Sequence, residues 1–370
     1  MTKLNGKFGN KITVKKLDLF KGLYANKKIL ITGHTGFKGS WMAIWLRELG
    51  ADVYGYALEP NSNQDNFVST NLENKITHRI GDIRDKDDLD KYFQEVKPDI
   101  AFHLAAQPLV IESYNNPHYN FETNLMGTVN FFEAVRNCPS VKVAINVTTD
   151  KCYQNNEWLW GYRENDPMGG DDPYSASKGC SELITNSYIK SFFNKEGTAH
   201  IASCRAGNVI GGGDWAENRI IPDMIRAYQA NQSLEIRNPN SVRPWQFVLE
   251  PLFGYMKLAE KLWSHGASFV GGWNFGPTAF ENYSVGDVVN EVKKIIPTIK
   301  ICNSKSIDKL HEANLLKLDV TKAINVLEWK PKLNFEQTIQ YTINGYIEEF
   351  NSLKNLYDCR VKQIETYCNK

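Results

Sequence analysis

From residue 29 the chain runs Ile29-Leu30-Ile31-Thr32, then Gly33-His34-Thr35-Gly36-Phe37-Lys38-Gly39, then an apolar segment from Ser40 to Leu49 with the look of a helix. No other stretch limits the fold as much. Gly33 permits a tight strand-to-helix reversal, Gly36 lets the backbone approach a pyrophosphate, and Gly39 lets the helix lie close on the sheet. The helix N-terminus adds N–H groups and a positive dipole for an anion. A glycine turn without a ligand has the same spacing. Its place between a strand and a helix favours a nicotinamide or flavin dinucleotide, with Gly33, Thr35, Gly36, Phe37 and Gly39 as contacts.

Strand-like and helix-like segments then alternate. Residues 52–58 read as a second strand, and at its end Glu59 is the carboxylate placed to accept the ribose hydroxyls of NAD, or else a solvated loop residue. A third strand ends in Gly81-Asp82-Ile83-Arg84-Asp85, and residues 89–96 have helical spacing. A fourth strand ends in Leu104-Ala105-Ala106, small enough for close ligand approach. Asp82, Ile83, Leu104, Ala105 and Ala106 therefore join the candidate cofactor contacts. Residues 124–136 form an amphipathic helix and 141–149 the next strand. Such alternation marks a parallel sheet wound on both sides.

We expect an α/β protein: a doubly wound parallel Rossmann sheet with a smaller mixed α/β substrate-binding lobe toward the C-terminus. Residues 1–26 precede it as an extension without assigned function, 27–210 and 240–266 form the NAD-binding domain, and 211–239 and 267–370 the substrate-binding domain. The run Gly211-Gly212-Gly213 reads as a mobile loop, with a second phosphate cradle as the alternative.

With 43 Lys and Arg against 42 Asp and Glu, the chain has no basic field to attract nucleic acid. Seven scattered cysteines, without a Cys-x-x-Cys pair or metal-ligand spacing, read as reduced thiols and give no metal site. No signal-like h-region follows the N-terminus and no window is long enough to span a membrane, so a cytoplasmic enzyme with no membrane partner is expected.

Tyr174 and Lys178 stand four apart and share one face of a helix. An ammonium near a phenol stabilises phenolate and draws its pKa from about 10 toward neutrality, so the tyrosine can take a proton from an alcohol. Thr149, at the strand end Thr148-Thr149-Asp150-Lys151, is placed to hold the same hydroxyl. Tyr-x-x-x-Lys alone is usually a solvated helix face. With the glycine turn, Thr149 and their order along the chain, the set resembles the extended short-chain dehydrogenase/reductase family.

Four stretches narrow the resemblance to that family's CDP-glucose 4,6-dehydratase branch: Thr-Gly-His-Thr-Gly-Phe-Lys-Gly-Ser-Trp at 32–41, Thr-Thr-Asp-Lys at 148–151, Gly-Asn-Val-Ile-Gly-Gly-Gly-Asp-Trp at 207–215, and Arg-Pro-Trp-Gln at 243–246. The resemblance implies bound NAD, oxidation at C4 of the glucose of CDP-glucose, loss of water across C5 and C6, and return of hydride to C6. It implies Thr149, Tyr174 and Lys178 for the redox steps. Asp150 is then the acid that protonates the leaving hydroxyl, a role that burial would favour by raising its pKa. The wider 4,6-dehydratase pattern has a glutamate after that aspartate as the C5 base; here Lys151 stands there. It acts as base only when neutral, and otherwise steadies the enolate or serves a structural ion pair.

The resemblance also carries Asn208 and Arg243 over as diphosphate contacts, with Arg219 a looser candidate, since the planar guanidinium fork suits phosphate. A homodimer joined through the helices beginning near Asn124 and Tyr174 is implied. Other nucleotide-sugar 4,6-dehydratases, acting on dTDP-glucose or GDP-mannose, share much of the pattern. A nucleotide-sugar 4-epimerase shares the Thr, Tyr and Lys but has no need of Asp150 and Lys151, and a silent NAD-binding scaffold has no need of any of them.

Overall fold

A computed structural model describes residues 17–236, 238–278, 282–303, 315–351 and 355–370. Seven strands form one sheet: β1 (Lys28–Thr32), β2 (Asp52–Ala57), β3 (Thr77–Ile80), β4 (Ile100–His103), β5 (Val143–Val147), β6 (His200–Ala206) and β7 (Gly271–Phe275). The order is β7-β6-β5-β4-β1-β2-β3, and every neighbouring pair is parallel. Strand order reverses between β1 and β4, so the ligand crevice of such a sheet opens above their carboxyl ends.

Side chains alternate across a strand, and here both faces are covered. Ile29, Ile31, Ile100, Phe102, Val143 and Ile145 pack on one side, against α1 (Phe37–Glu48) and two later helices. Leu30, Ala101, Ala144 and Ile201 pack on the other. There they meet α2 (Lys86–Val96), α3 (Gly127–Asn137) and the edge of α4 (Pro173–Ser191). Apolar runs without polar alternation in β1, β4 and β5 follow from this double burial.

A smaller core lies over the crevice. It joins α5 (Ile220–Gln229), α7 (Val285–Ile295) and α8 (Phe335–Asn351) through Met224, Ile225, Val288, Val292, Ile339 and Tyr346. The parallel pair Ser233–Ile236 and Lys300–Asn303 closes it. Between the two cores, α6 (Leu249–His265) returns behind the main sheet, and α9 (Leu356–Cys368) packs back on α1. The boundary expected at residue 267 therefore shifts, because β7 belongs to the Rossmann sheet and pairs with β6. Two glycines at its start and only five residues hide it locally.

The glycine run at 211–213 is neither a mobile loop nor a cradle. All three residues are buried, and Trp41 Nε1 donates to the Gly212 carbonyl at 2.9 Å. A Cβ on Gly212 would fall 2.7 Å from Arg360 Nη1, and one on Gly213 2.5 Å from Asn66 Cβ. Glycine is there because three distant segments converge on it.

Of the N-terminal extension, residues 1–16 lie outside the described residues. Phe20 and Tyr24 anchor its remaining residues in the main core, Tyr24 through a 2.6 Å hydrogen bond to the Met256 carbonyl. Among the described residues no helix is long and apolar enough to cross a membrane, and no cluster of metal-ligating side chains occurs.

Candidate active site

Two of the three glycines in the first turn are demanded by the chain itself. Gly33 has φ +78°, and a Cβ there would lie 2.6 Å from the Ala105 nitrogen; one on Gly39 would lie 2.1 Å from the Gly33 carbonyl oxygen. Gly36 differs: its Cβ would meet nothing closer than that oxygen, at 3.4 Å. It is the N-cap of α1 and gives no side-chain cap, leaving first-turn N–H groups for an anion. A bare, open backbone at a helix N-terminus is what a dinucleotide's pyrophosphate requires, so these residues fit NAD.

The remaining cofactor candidates sit around this turn. Thr35 Oγ1 donates to the Leu58 carbonyl at 2.9 Å, tying the turn to the end of β2, where Glu59 is exposed. Leu104, Ala105 and Ala106 follow β4 beside Gly33, and Leu104 N–H donates to the Thr32 carbonyl at 3.0 Å. Asp82 is held by Arg84 at 2.6 Å, and Ile83 is buried against Gly127. His34 and His103 are both buried and pushed down to about 3, mainly by burial, and so stay neutral. His103 bonds Thr32 Oγ1 at 2.7 Å as a core histidine.

Across the crevice, the end of β5 meets the first turn of α4. Asp172 caps α4 by accepting the Ser175 N–H at 2.9 Å, which fixes Tyr174 in that first turn. Tyr174 and Lys178 are nearly wholly buried. Burial pushes the phenol up to about 12, against a hydrogen bond with Thr149 that lowers it. Lys178 is drawn down to about 8 by burial and the charge of Lys38, while Glu182 opposes the change. Its ammonium reaches toward the Val147 carbonyl at 3.5 Å. Burial thus outweighs the lowering by Thr149 and by Arg219, and the phenol does not move toward neutrality as expected of a tyrosine four residues from Lys178.

Asp150 is 2 % exposed, and Thr149 Oγ1 donates to its Oδ1 at 2.9 Å. Its Oδ2 has no hydrogen-bond partner among the described residues. Burial raises its pKa, against the lowering influences of Lys151, Thr149 and Arg243. A carboxyl held toward its protonated form suits a proton donor.

Thr149, Asp150 and Tyr174 line a cleft of about 400 Å³ between the two cores, and Lys178 lies outside its lining. Lys151, Asn208, Arg219 and Arg243 all reach it, so the cleft gathers the substrate candidates and every catalytic candidate but Lys178. Arg243 is buried; Arg219 is paired to Asp214 at 2.8 Å. Lys38, from the glycine turn, faces the cleft rather than solvent and is lowered to about 8 by burial and by Arg219.

Residue spacing did not disclose the support under this site. Glu182, one turn beyond Lys178 on α4, accepts hydrogen bonds from Ser203 and from Arg205, both at 2.7 Å, and from the Thr148 hydroxyl. Arg205 in turn donates to Tyr153 Oη and the Glu164 carbonyl. The buried pair fastens the catalytic end of β5 to α4 and β6. The i, i+4, i+8 series Tyr174, Lys178, Glu182 was its only signal in the sequence.

Fold and site together define a nucleotide-sugar-modifying enzyme of the extended short-chain dehydrogenase/reductase class. Residues 30–342 match the family described as GDP-mannose 4,6 dehydratase, and the chain belongs to it. A CDP-glucose 4,6-dehydratase of Salmonella typhimurium is 47% identical over 94% of this chain and 98% of its own length. A human dTDP-D-glucose 4,6-dehydratase is 27% identical over 89% of this chain and 93% of its own. The fold is shared with DesIV, a dTDP-glucose 4,6-dehydratase from Streptomyces venezuelae solved with NAD and TYD. Its TM-score is 0.75 at 21% identity, covering 89% of this chain and 99% of that one.

Proposed function

We propose that this chain is a CDP-glucose 4,6-dehydratase that converts CDP-glucose to CDP-4-keto-6-deoxyglucose and water with bound NAD. The observation that carries the reading is the buried Asp150 carboxyl next to the Thr149 and Tyr174 hydroxyls. An acid for elimination adjoins a redox pair, and an epimerase has no need of it. The CDP-glucose assignment is supported by the similarity to the Salmonella enzyme over nearly the whole chain.

The glycine turn and Glu59 would hold NAD, which would supply a hydride acceptor for C4 and give the same hydride back at C6. Tyr174 takes the C4 hydroxyl proton while Thr149 orients that oxygen. The resulting ketone acidifies C5–H, and Lys151 either removes that proton, which requires its neutral form, or as a cation steadies the enolate. Asp150 delivers its proton to the C6 hydroxyl, which leaves as water. The C5 proton returns to C5, and the proton that Tyr174 took makes good the one that Asp150 gave, so with the hydride given back at C6 atoms and electrons would balance with no net oxidant. Asn208, Arg219 and Arg243 hold the substrate's diphosphate.

We also infer a homodimer in the cytoplasm. Leu183 on α4, Phe192 at its C-cap and Met126 on the turn before α3 are exposed apolar side chains on or beside the two helices expected to meet a second copy. The product is a deoxysugar precursor of the kind built into surface polysaccharides.

The test is incubation with NAD and, separately, CDP-glucose, dTDP-glucose, GDP-mannose and UDP-glucose, with products read by mass spectrometry. Loss of one water from CDP-glucose alone, without accumulating NADH, is expected. Unchanged mass with altered sugar configuration would make it an epimerase, and no change with any donor would refute catalysis.

A further inference from the structure

Ser241 is 2 % exposed, yet its Oγ is buried without any hydrogen-bond partner among the described residues. Its main chain is fully used: the N–H donates to the Asn238 carbonyl at 3.3 Å, and its own carbonyl accepts the Val285 N–H at 3.0 Å. The hydroxyl therefore contributes nothing to holding this loop. A buried polar group left unsatisfied destabilises the fold, and alanine would avoid that cost at nearly the same shape. Native buried polar groups that break the rule call for an unseen partner.

Three features say what the partner is. Ser241 lines the cleft. It stands two residues before Arg243, immediately ahead of the short strand Val242–Arg243. Arg243 is itself 4 % exposed and lines the same wall. A hydroxyl that needs an acceptor, beside a buried guanidinium whose positive charge favours an anion, fits an oxygen carrying negative charge.

We propose that Ser241 is a substrate-binding residue whose hydroxyl donates to a diphosphate oxygen of the nucleotide sugar, beside Arg243. This rests on the nucleotide-sugar reading above. A hydrogen bond to a charged oxygen that is made equally in ground and transition states changes KM and leaves kcat.

The experiment compares the NAD-loaded parent with Ser241→Ala. Expected for the variant are a CDP-glucose KM and a CDP dissociation constant raised about tenfold, with kcat, cytidine inhibition and NAD binding unchanged. Its melting temperature should equal or exceed the parent's, because the hydroxyl has no partner in the free protein. Unchanged CDP affinity overturns the proposal, as does an equal loss for cytidine, which moves the bond to the nucleoside. A clear fall in melting temperature also overturns it by revealing an internal partner. The binding arms need no turnover: a parent that binds CDP but leaves CDP-glucose intact refutes the proposed reaction without deciding Ser241, which the CDP and cytidine comparison still settles. A parent that does not bind CDP overturns both.

Discussion

Glu250, at the start of α6, is 1 % exposed and ties distant parts of the chain together. One carboxylate oxygen accepts the N–H groups of Lys332 and Leu333 at 2.9 and 2.8 Å, and the other accepts from Tyr367 Oη on α9 at 2.8 Å. Burial nevertheless raises its pKa from 4.5 to about 7, against the lowering pull of those bonds and of Lys332. A raised folded-state pKa means stability that is fully present below the unfolded value and is lost as pH climbs through the folded one. The window thus runs from about 4.5 to about 7. Above it the ionised carboxylate costs the fold on the order of 3 kcal/mol.

Glu250→Gln keeps the shape and an acceptor for the two N–H groups but cannot ionise. Any cost of re-pairing Tyr367 Oη is the same at every pH. The check is the difference in melting temperature between variant and parent, measured by scanning fluorimetry from pH 5 to pH 8.5. The variant should gain on the parent by several degrees across that range. A difference that stays flat with pH would refute the reasoning, whatever its absolute value.

Tyr174→Phe should slow C4 oxidation by about 10²–10⁴-fold while CDP still binds, measured as single-turnover NADH formation and by calorimetry. Asp150→Asn should leave C4 oxidation intact and slow water loss by a similar factor, so NADH accumulates with CDP-glucose; equal loss of both steps would contradict the separate roles. Gly36→Ala should fold with an unchanged melting temperature yet bind NAD more weakly in a fluorescence titration, whereas Gly33→Ala should lose stability because of its φ of +78° and the Ala105 contact. Glu182→Leu, which leaves Arg205 buried without its charge partner, should cost about 3–5 kcal/mol in denaturant unfolding, and Arg205→Met in the same chain should recover most of it.

What the sequence disclosed, and what it did not, divides by whether the signal is local. The first turn was legible because its three glycines fall close together between a strand and a helix, although the atoms that constrain Gly33 belong to the distant Ala105, and β1, β4 and β5 because double burial writes itself as short apolar runs. Tyr174 and Lys178 were legible because a helix places them four apart. β7 was hidden because its pairing to β6 lies some seventy positions away, and Gly271-Gly272 carries no strand signature. The run at 211–213 read as a loop for the same reason: Asn66, Gly345 and Arg360 make it a packing centre, and none is near it in the chain. Lys38 faces the cleft because the segment carrying Asp214 and Arg219 folds over it.

The same nonlocal burial decides the chemistry. Oxidation at C4 needs a tyrosine that accepts a proton, and elimination needs an aspartic acid that gives one. Local charges would push the two groups the wrong way for one of these tasks, since cations that favour phenolate also favour carboxylate. Burial raises both, which holds Asp150 toward its protonated form although Lys151 and Arg243 draw it down, while the phenol of Tyr174 is raised despite the lowering by Thr149 and Arg219. Thr149 links the two residues, donating to Asp150 Oδ1 at 2.9 Å while bonding the phenol. The supporting pair of Glu182 and Arg205 matters for that reason: it holds the end of β5, and with it Thr149, where one hydroxyl can serve both the acid and the base.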